Sequence, residues 1–536
     1  MAFYKISLAV ALGAATVGMA AAPAFAQAPA APAAAISSSA SVDAPGRWLR
    51  AESEHFIVYS DRNEAVLREY VTMLEDFDGV LRILHGRTKA ATPRKLPVYL
   101  VANTRQLRRA YPAADDNLRG AYVRSLNDIF FLAIRSDDDD DKTKGDDTVL
   151  HEYTHHFMMQ HFPAGYPGWM VEGLAEYYKT ADLQPKKVTI GSYNPNRAYS
   201  LLNARWLPME DILSKRPGDL ERDDVQLFYS QSWLLTHYVW TDKERRAKLP
   251  DYLDAVRRGK PAMESWTAVY GEDSKALERN LKVYTRKSLM GMNIIRTPPT
   301  PQIAFTRMPA GADDLILEAQ QIKREVDKED APALLQKVRE TAAKRPGEFY
   351  SRLVLARAEC DLGDRAAGEK ILQTLLEERP ADLEALQVMA YSRLAAARDA
   401  DPEQAKAIYA EAARYLGRAH KVDGENYLTL FGYAETRAFD REPTENTLNV
   451  IFRAAEIAPQ SPQIRMRAAR LFIRAGQYSV ARQMLAPIAG NPHGGGLTRT
   501  AIKLLKELEG KADKPVGPTP ASTVAPSRAP AAGAVS

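Results

Sequence analysis

Only one cysteine, Cys360, occurs in the 536 residues of the chain. An internal disulfide is therefore excluded, and stability must come from a buried apolar core. A chain of this length can build one, across two or three domains. A strong charge imbalance is also missing: 72 Lys and Arg stand against 68 Asp and Glu, a net charge of +4. The basic residues are dispersed and form no stripe, so nothing points to nucleic acid. Beyond the N-terminus no apolar run approaches the roughly 20 residues of a membrane span. No cysteine stands directly after the N-terminal apolar segment, so a lipid anchor on an N-terminal Cys is not expected.

That N-terminal segment reads as a secretory signal over residues 1–26. Lys5 precedes an apolar run from Ile6 to about Ala22, and Ala24-Phe25-Ala26 makes a small-x-small cleavage site before Gln27. The mature chain is expected to be exported, to a bacterial periplasm or the medium, with no membrane span after cleavage. Residues 27–46 are rich in Pro, Ala and Ser and form a linker with too little apolar mass to fold. The tail, 511–536, has the same composition.

A folded domain is expected over 47–295. Its first half alternates strands and one long helix: strands near 54–60, 95–101, 120–123 and 128–133, and an amphipathic helix over Glu64–Leu84. Ser136 and the five aspartates Asp137–Asp141 follow, a like-charged run that reads as a solvated loop.

Next comes the densest chemistry in the chain. His151-Glu152-Tyr153-Thr154-His155 is an H-E-x-x-H pentad, and Glu172 lies seventeen residues beyond the second histidine. On a helix, positions i and i+4 share a face, so His151 and His155 can turn their imidazoles to one ion. Asp146, Asp147 and Thr148 offer the start of that helix and Pro163 its end; a second helix from near Pro167 returns Glu172 as third ligand. Three protein ligands with a fourth position open are the pattern of a catalytic zinc site, and Glu152 is the general base beside it. His156 faces away from the ligand stripe and reads as a bystander.

These residues resemble the gluzincin metallopeptidases, in which the third ligand sits in an N-E-G-x-x-x-Y or E-x-x-x-D context. Glu172-Gly173 and Tyr177 match the first form, and Glu176 falls where the second has an acid bonded to a ligating histidine. Val171 stands in place of the usual Asn, and the gap between pentad and third ligand is slightly short. The resemblance covers roughly residues 50–290. It implies one Zn²⁺ per chain, a peptide or protein substrate, and pairing of an extended substrate along a sheet edge, expected at the last strand, 128–133. It also implies an oxyanion-stabilising Tyr or His on a downstream helix; on the helix expected over Val225–Trp240 the first candidate is Tyr229, with His237 and Tyr238 behind it. Further helices near 244–258 and 273–290 complete the domain.

After a proline-rich linker, 296–314, the texture changes to helix upon helix. Arg345-Pro346 and Arg379-Pro380 lie thirty-four residues apart, and Pro459 and Pro492 thirty-three. With the turns Leu362-Gly363-Asp364 and Ala475-Gly476-Gln477-Tyr478, this segment resembles an array of four to five tetratricopeptide (TPR) units over 315–510. An insertion falls around Ala395–Glu403. Cys360 sits at a small-residue position of such a unit, as an inert packed thiol.

The fold class expected is thus an α+β zincin-like catalytic domain followed by an all-α TPR solenoid. Such an array offers a concave face to a protein partner. Two functions stay open: an exported zinc metallopeptidase whose repeats recruit substrate or partner, and an inactive zincin–TPR scaffold of the cell envelope.

Overall fold

The computed structural model describes residues 43–514 except 136–138, 194, 288 and 438. The segment 1–26 that reads as a signal, nearly all of the 27–46 segment and most of the 511–536 segment lie outside the described residues.

Strands β1 (Pro45–Glu52), β2 (Phe56–Ser60), β3 (Leu96–Val101), β4 (Gly120–Arg124) and β5 (Ile129–Ile134) belong to one sheet. Strands β6 (Asp182–Leu183), β7 (Lys187–Ile190) and β8 (Met292–Ile295) form a second, and β9 (Ala304–Pro309) returns to the first. The large sheet runs β4-β5-β3-β2-β1-β9, with β2, β3 and β5 parallel and β4, β1 and β9 antiparallel to their neighbours. Every residue of β5 is buried, as expected of a central strand covered on both faces. Ile129, Phe131 and Ala133 join one core, while Phe130, Leu132 and Ile134 join the other, the two-residue period of a strand.

Helices α1 (Glu64–Leu84) and α2 (Thr104–Ala110) lie on opposite faces of the sheet. Then come α3 (Asp139–His161), α4 (Gly168–Tyr178), α5 (Pro195–Asn203), α6 (Met209–Ser214) and α7 (Arg222–Trp240). Three more, α8 (Lys243–Arg257), α9 (Ala262–Tyr270) and α10 (Ser274–Tyr284), close the helical half of the domain.

Two expectations need correction. Asp139–Asp141 are not loop: they open α3. Ser136, Asp137 and Asp138 lie outside the described residues. The 296–314 segment is not a free linker either. Within it β9 adds to β1 as an edge strand, and α11 (Ala312–Lys323) begins and covers the sheet through Ala312, Ile316 and Leu317.

The C-terminal half is tetratricopeptide-like. After α12 (Ala331–Ala342) the helices pair as α13 (Phe349–Leu362) with α14 (Arg365–Glu378), and α15 (Leu383–Asp399) with α16 (Pro402–Val422). The next pairs are α17 (Tyr427–Glu435) with α18 (Glu445–Ile457), and α19 (Pro462–Arg474) with α20 (Tyr478–Ala489); α21 (Gly496–Glu507) ends the array. The insertion near Ala395–Glu403 is absorbed by lengthening α15 and α16. Side-chain caps punctuate the series, with Asp364, Asp382, Asp401, Asn426, Thr444 and Ser461 each accepting from a helix N-terminal amide.

The array curls back onto the N-terminal domain. At its start Arg109 holds Glu318 through two 2.8 Å bonds. Further along, the Arg94 guanidinium lies 5.5 Å from the Tyr427 ring centre. At its end Gln460 donates to Gln160 at 2.8 Å, and the Gly218 amide donates to the Pro492 carbonyl at 3.2 Å. The apolar core is correspondingly continuous: Phe157 and Trp169 belong to the same cluster as Phe431, Ile464 and Leu485. Tyr350 of α13 and Tyr427 of α17 meet the N-terminal domain.

Candidate metal centre

Helix α3 is held by its apolar and polar back. Val149, Leu150, Tyr153 and Phe157 sit in the core, the Tyr153 hydroxyl donates to Asp78 at 2.6 Å, and Thr154 donates to the Leu150 carbonyl at 2.8 Å. That fixes the opposite side so that Glu152 and His155 line a cleft. Helix α4 crosses α7 closely because residue 173 is glycine: a Cβ there would collide with the Ser232 carbonyl and the Thr236 hydroxyl. Tyr177 packs in the core against Tyr178 and His237.

This packing brings three ligand-type side chains together. The Nε2 atoms of His151 and His155 lie 3.2 Å apart, and Glu172 Oε2 is 3.4 Å from the first and 3.5 Å from the second. A tetrahedral zinc ion with bonds of ~2.0–2.1 Å spaces its ligand atoms by about 3.3–3.4 Å, so the triangle fits. Glu172 is fully buried, and neither of its oxygens accepts a hydrogen bond from the described residues. A buried carboxylate without a donor is costly unless a cation faces it. The donor set, two imidazoles and a carboxylate, suits zinc.

Glu176 stands behind His151, with Oε1 3.2 Å from Nδ1. Its carboxylate also accepts from Arg197 Nε at 2.8 Å and from Lys179 at 3.0 Å. Burial opposes its charge, but His151 and Arg197 outweigh burial and hold its carboxyl far below the usual range. Glu172 behaves likewise: burial is overcome by His155 and His151. Burial also disfavours a charged His151, yet the two carboxylates raise its pKa to about 10. The pocket thus carries negative charge that a proton or a dication neutralises. Glu176→Gln is expected to weaken zinc binding by about 10–100-fold, as for other partners of a ligating histidine, and a chelator-competition titration measures it.

Tyr229 reaches this centre: its ring lies 6.3 Å from that of His151, with the Arg197 guanidinium 5.3 Å away. The other two aromatic candidates do not. His237 Nδ1 pairs with the Tyr284 hydroxyl at 2.9 Å, and Tyr238 donates to Glu272 at 2.8 Å, both toward α10 and its flank. His156 faces the sheet, where Nδ1 meets the Tyr122 hydroxyl at 2.7 Å, and burial lowers its pKa to about 3.

The sheet edge beside the cleft is β4, not the 128–133 strand, which lies inside the sheet between β4 and β3. Gly120, Ala121, Tyr122 and Arg124 of β4 line a cleft of about 480 Å³ with Glu152 and His155. The opposite wall comes from the terminal repeats, through Pro459, Arg465 and the loop 490–496. In that loop His493 Nε2 stands 3.8 Å from Glu172 Oε1, and Gly494 and Gly495 adopt positive φ angles of 68° and 107°. Sequence reasoning missed this wall. The signal was the run Gly490-Asn-Pro-His-Gly-Gly-Gly496, too glycine-rich for an ordinary turn between repeats.

No protein-family model matches the chain, and no curated protein matches it. Among solved structures, a thermophilic TPR protein of Thermus thermophilus is 20% identical and covers 37% of this chain and 100% of its own, at a TM-score of 0.32. MamA of Desulfovibrio magneticus is 13% identical over 37% of this chain and 98% of its own, at a TM-score of 0.25.

Proposed function

We propose that the chain is an exported zinc-dependent metallopeptidase of the gluzincin type, working in a cleft walled by its own helical repeats. What carries the reading is the triangle of His151, His155 and Glu172 atoms at tetrahedral spacing, one corner of it a buried carboxylate with no hydrogen-bond donor among the described residues. Export rests on the signal-like residues 1–26; no helix among the described residues is long and apolar enough to cross a membrane.

Held by these three side chains, zinc supplies Lewis acidity at a peptide carbonyl and acidifies water toward a pKa of about 7. Glu152, on the cleft wall, takes the proton of the attacking water and delivers it to the leaving amine. Burial, with the charges of Glu172, Glu152 and Glu176, raises the Tyr229 pKa far above that of a free phenol. Tyr229 therefore stays protonated and can donate to the developing oxyanion. An extended peptide adds to the free edge of β4 by main-chain hydrogen bonds. The repeat array supplies one wall and a surface suited to a protein partner.

Elemental analysis of residues 27–536 tests the site: about one zinc per chain is expected, lost in His151→Ala. A chain that takes up no zinc even when it is supplied would instead support the scaffold, in which the repeats carry the function.

A further inference from the structure

Arg465 is the feature of the cleft that hydrolysis leaves unused. It lies on α19, is 4% exposed, and lines the cleft with Glu152 and His155. Four arginines among the described residues are buried: Arg82, Arg135, Arg357 and Arg465. The first three face carboxylates, of Asp78, Asp146 and Glu384. Arg465 has none. Its Nε donates to the Pro459 carbonyl at 2.6 Å, and Nη1 meets only the Met484 sulfur at 4.0 Å. Burial alone lowers its pKa to about 10, with no acid to oppose it. A buried guanidinium without a counter-charge is costly and calls for a partner from outside the chain.

The rest of the lining agrees. On the β4 wall Arg124 meets only the Tyr122 ring, 5.8 Å away, and no carboxylate among the described residues. Glu152 is the one acid among the described residues of the lining, and in the proposed reaction it is committed to proton transfer. The cleft away from the metal-type triangle is therefore cationic. Guanidinium is the side chain that matches a carboxylate by a two-point, charge-assisted contact.

We propose that the cleft selects a peptide carrying a carboxylate, and that Arg465, delivered by the terminal repeats, is the specificity residue that binds it. This rests on the reading that the cleft holds a peptide. The carboxylate is that of an acidic side chain or of a C-terminus. The repeat array then acts in substrate selection by walling the cleft, in addition to any partner it holds.

A binding experiment tests this without turnover. The full chain carrying Glu152→Gln, with zinc added, is mixed with an equimolar set of synthetic octapeptides in three forms. One form is unmodified, one is C-terminally amidated, and one is amidated with its side-chain carboxyls methyl-esterified. Peptides that co-elute with the protein are identified by mass. Free acids are expected to be retained about tenfold or more over the esterified amides, the size of one charge-assisted contact. Loss of that excess on amidation alone assigns the C-terminus; its survival assigns a side chain. Arg465→Met should abolish the preference while raising the thermal midpoint of the free chain, since an unpaired buried charge is removed. Arg465→Lys should keep part of the preference. Equal retention of all three forms, no retention of any, or a Met variant that still prefers acids overturns the proposal. Absence of hydrolysis by the unsubstituted chain would sink catalysis and leave this readout untouched.

Discussion

Exchanging Glu152 for glutamine should leave the zinc content unchanged and lower peptide hydrolysis by about 10²–10⁴-fold. The structure separates the two effects. The proposed ligand triangle is that of His151, His155 and Glu172, and the Glu152 carboxylate is not part of it. The Glu152 side chain makes no hydrogen bond or ion pair among the described residues, so the amide breaks no structural contact; it removes a charge near His151 and Tyr229 and the ability to take a proton. The fall should therefore lie in kcat, with KM nearly constant, on a quenched-fluorescent peptide mixture followed beside elemental analysis. A Glu172 substitution has a different signature, loss of the metal and of activity together. Full turnover by Glu152→Gln would remove the general base from the mechanism.

How much of this site was legible follows from which contacts are local. The His151–His155 pair lies within one helix, and the 3.6-residue period places it from sequence alone. Glu172 and Glu176 needed only one more helix. Choosing among Tyr229, His237 and Tyr238 needed the face of α7 that meets α4. That face was written in small residues: Ser232 and Thr236 lie under Gly173, and Tyr229 continues their stripe at i−3. Edge and centre in the sheet were harder, because β4 and β5 are both apolar and strand order is a matter of tertiary pairing. His493 and Arg465 were out of reach. They come from the far end of an array whose prolines, Pro459 and Pro492, mark repeat boundaries in sequence and line the cleft in space. The same long-range docking explains β9: a short strand after a proline cluster declares itself only when β1 is beside it.

That dependence leads to the second large effect, on folding. A chain ended at residue 295, where composition places the close of the first domain, should not fold to a soluble monomer. It would lack β9 and leave β1 as an open edge, a template for association with other chains. It would also lack α11, whose Ile316 and Leu317 pack against the sheet and are at most 2% exposed. At ~1.5–3 kcal/mol for each fully buried aliphatic side chain, those two contribute roughly 3–6 kcal/mol. The whole stability of a domain is about 5–15 kcal/mol, so this loss, added to the open edge of β1, removes a large part of it. Ending the chain at residue 324 restores the sheet and α11 but still removes Phe431, Ile464 and Leu485 from the core that holds Phe157 of the metal-site helix. It should be more soluble than the shorter form, yet melt lower than the full chain and lose the cleft wall. The full chain, with one core running through both halves, is expected to unfold in a single calorimetric transition although two domains are visible in its sequence. Two well-separated transitions, or a stable 43–295 monomer that binds zinc as the full chain does, would show the halves to be independent. The array would then be an attached module, and the wall it gives the cleft would be dispensable for the metal centre.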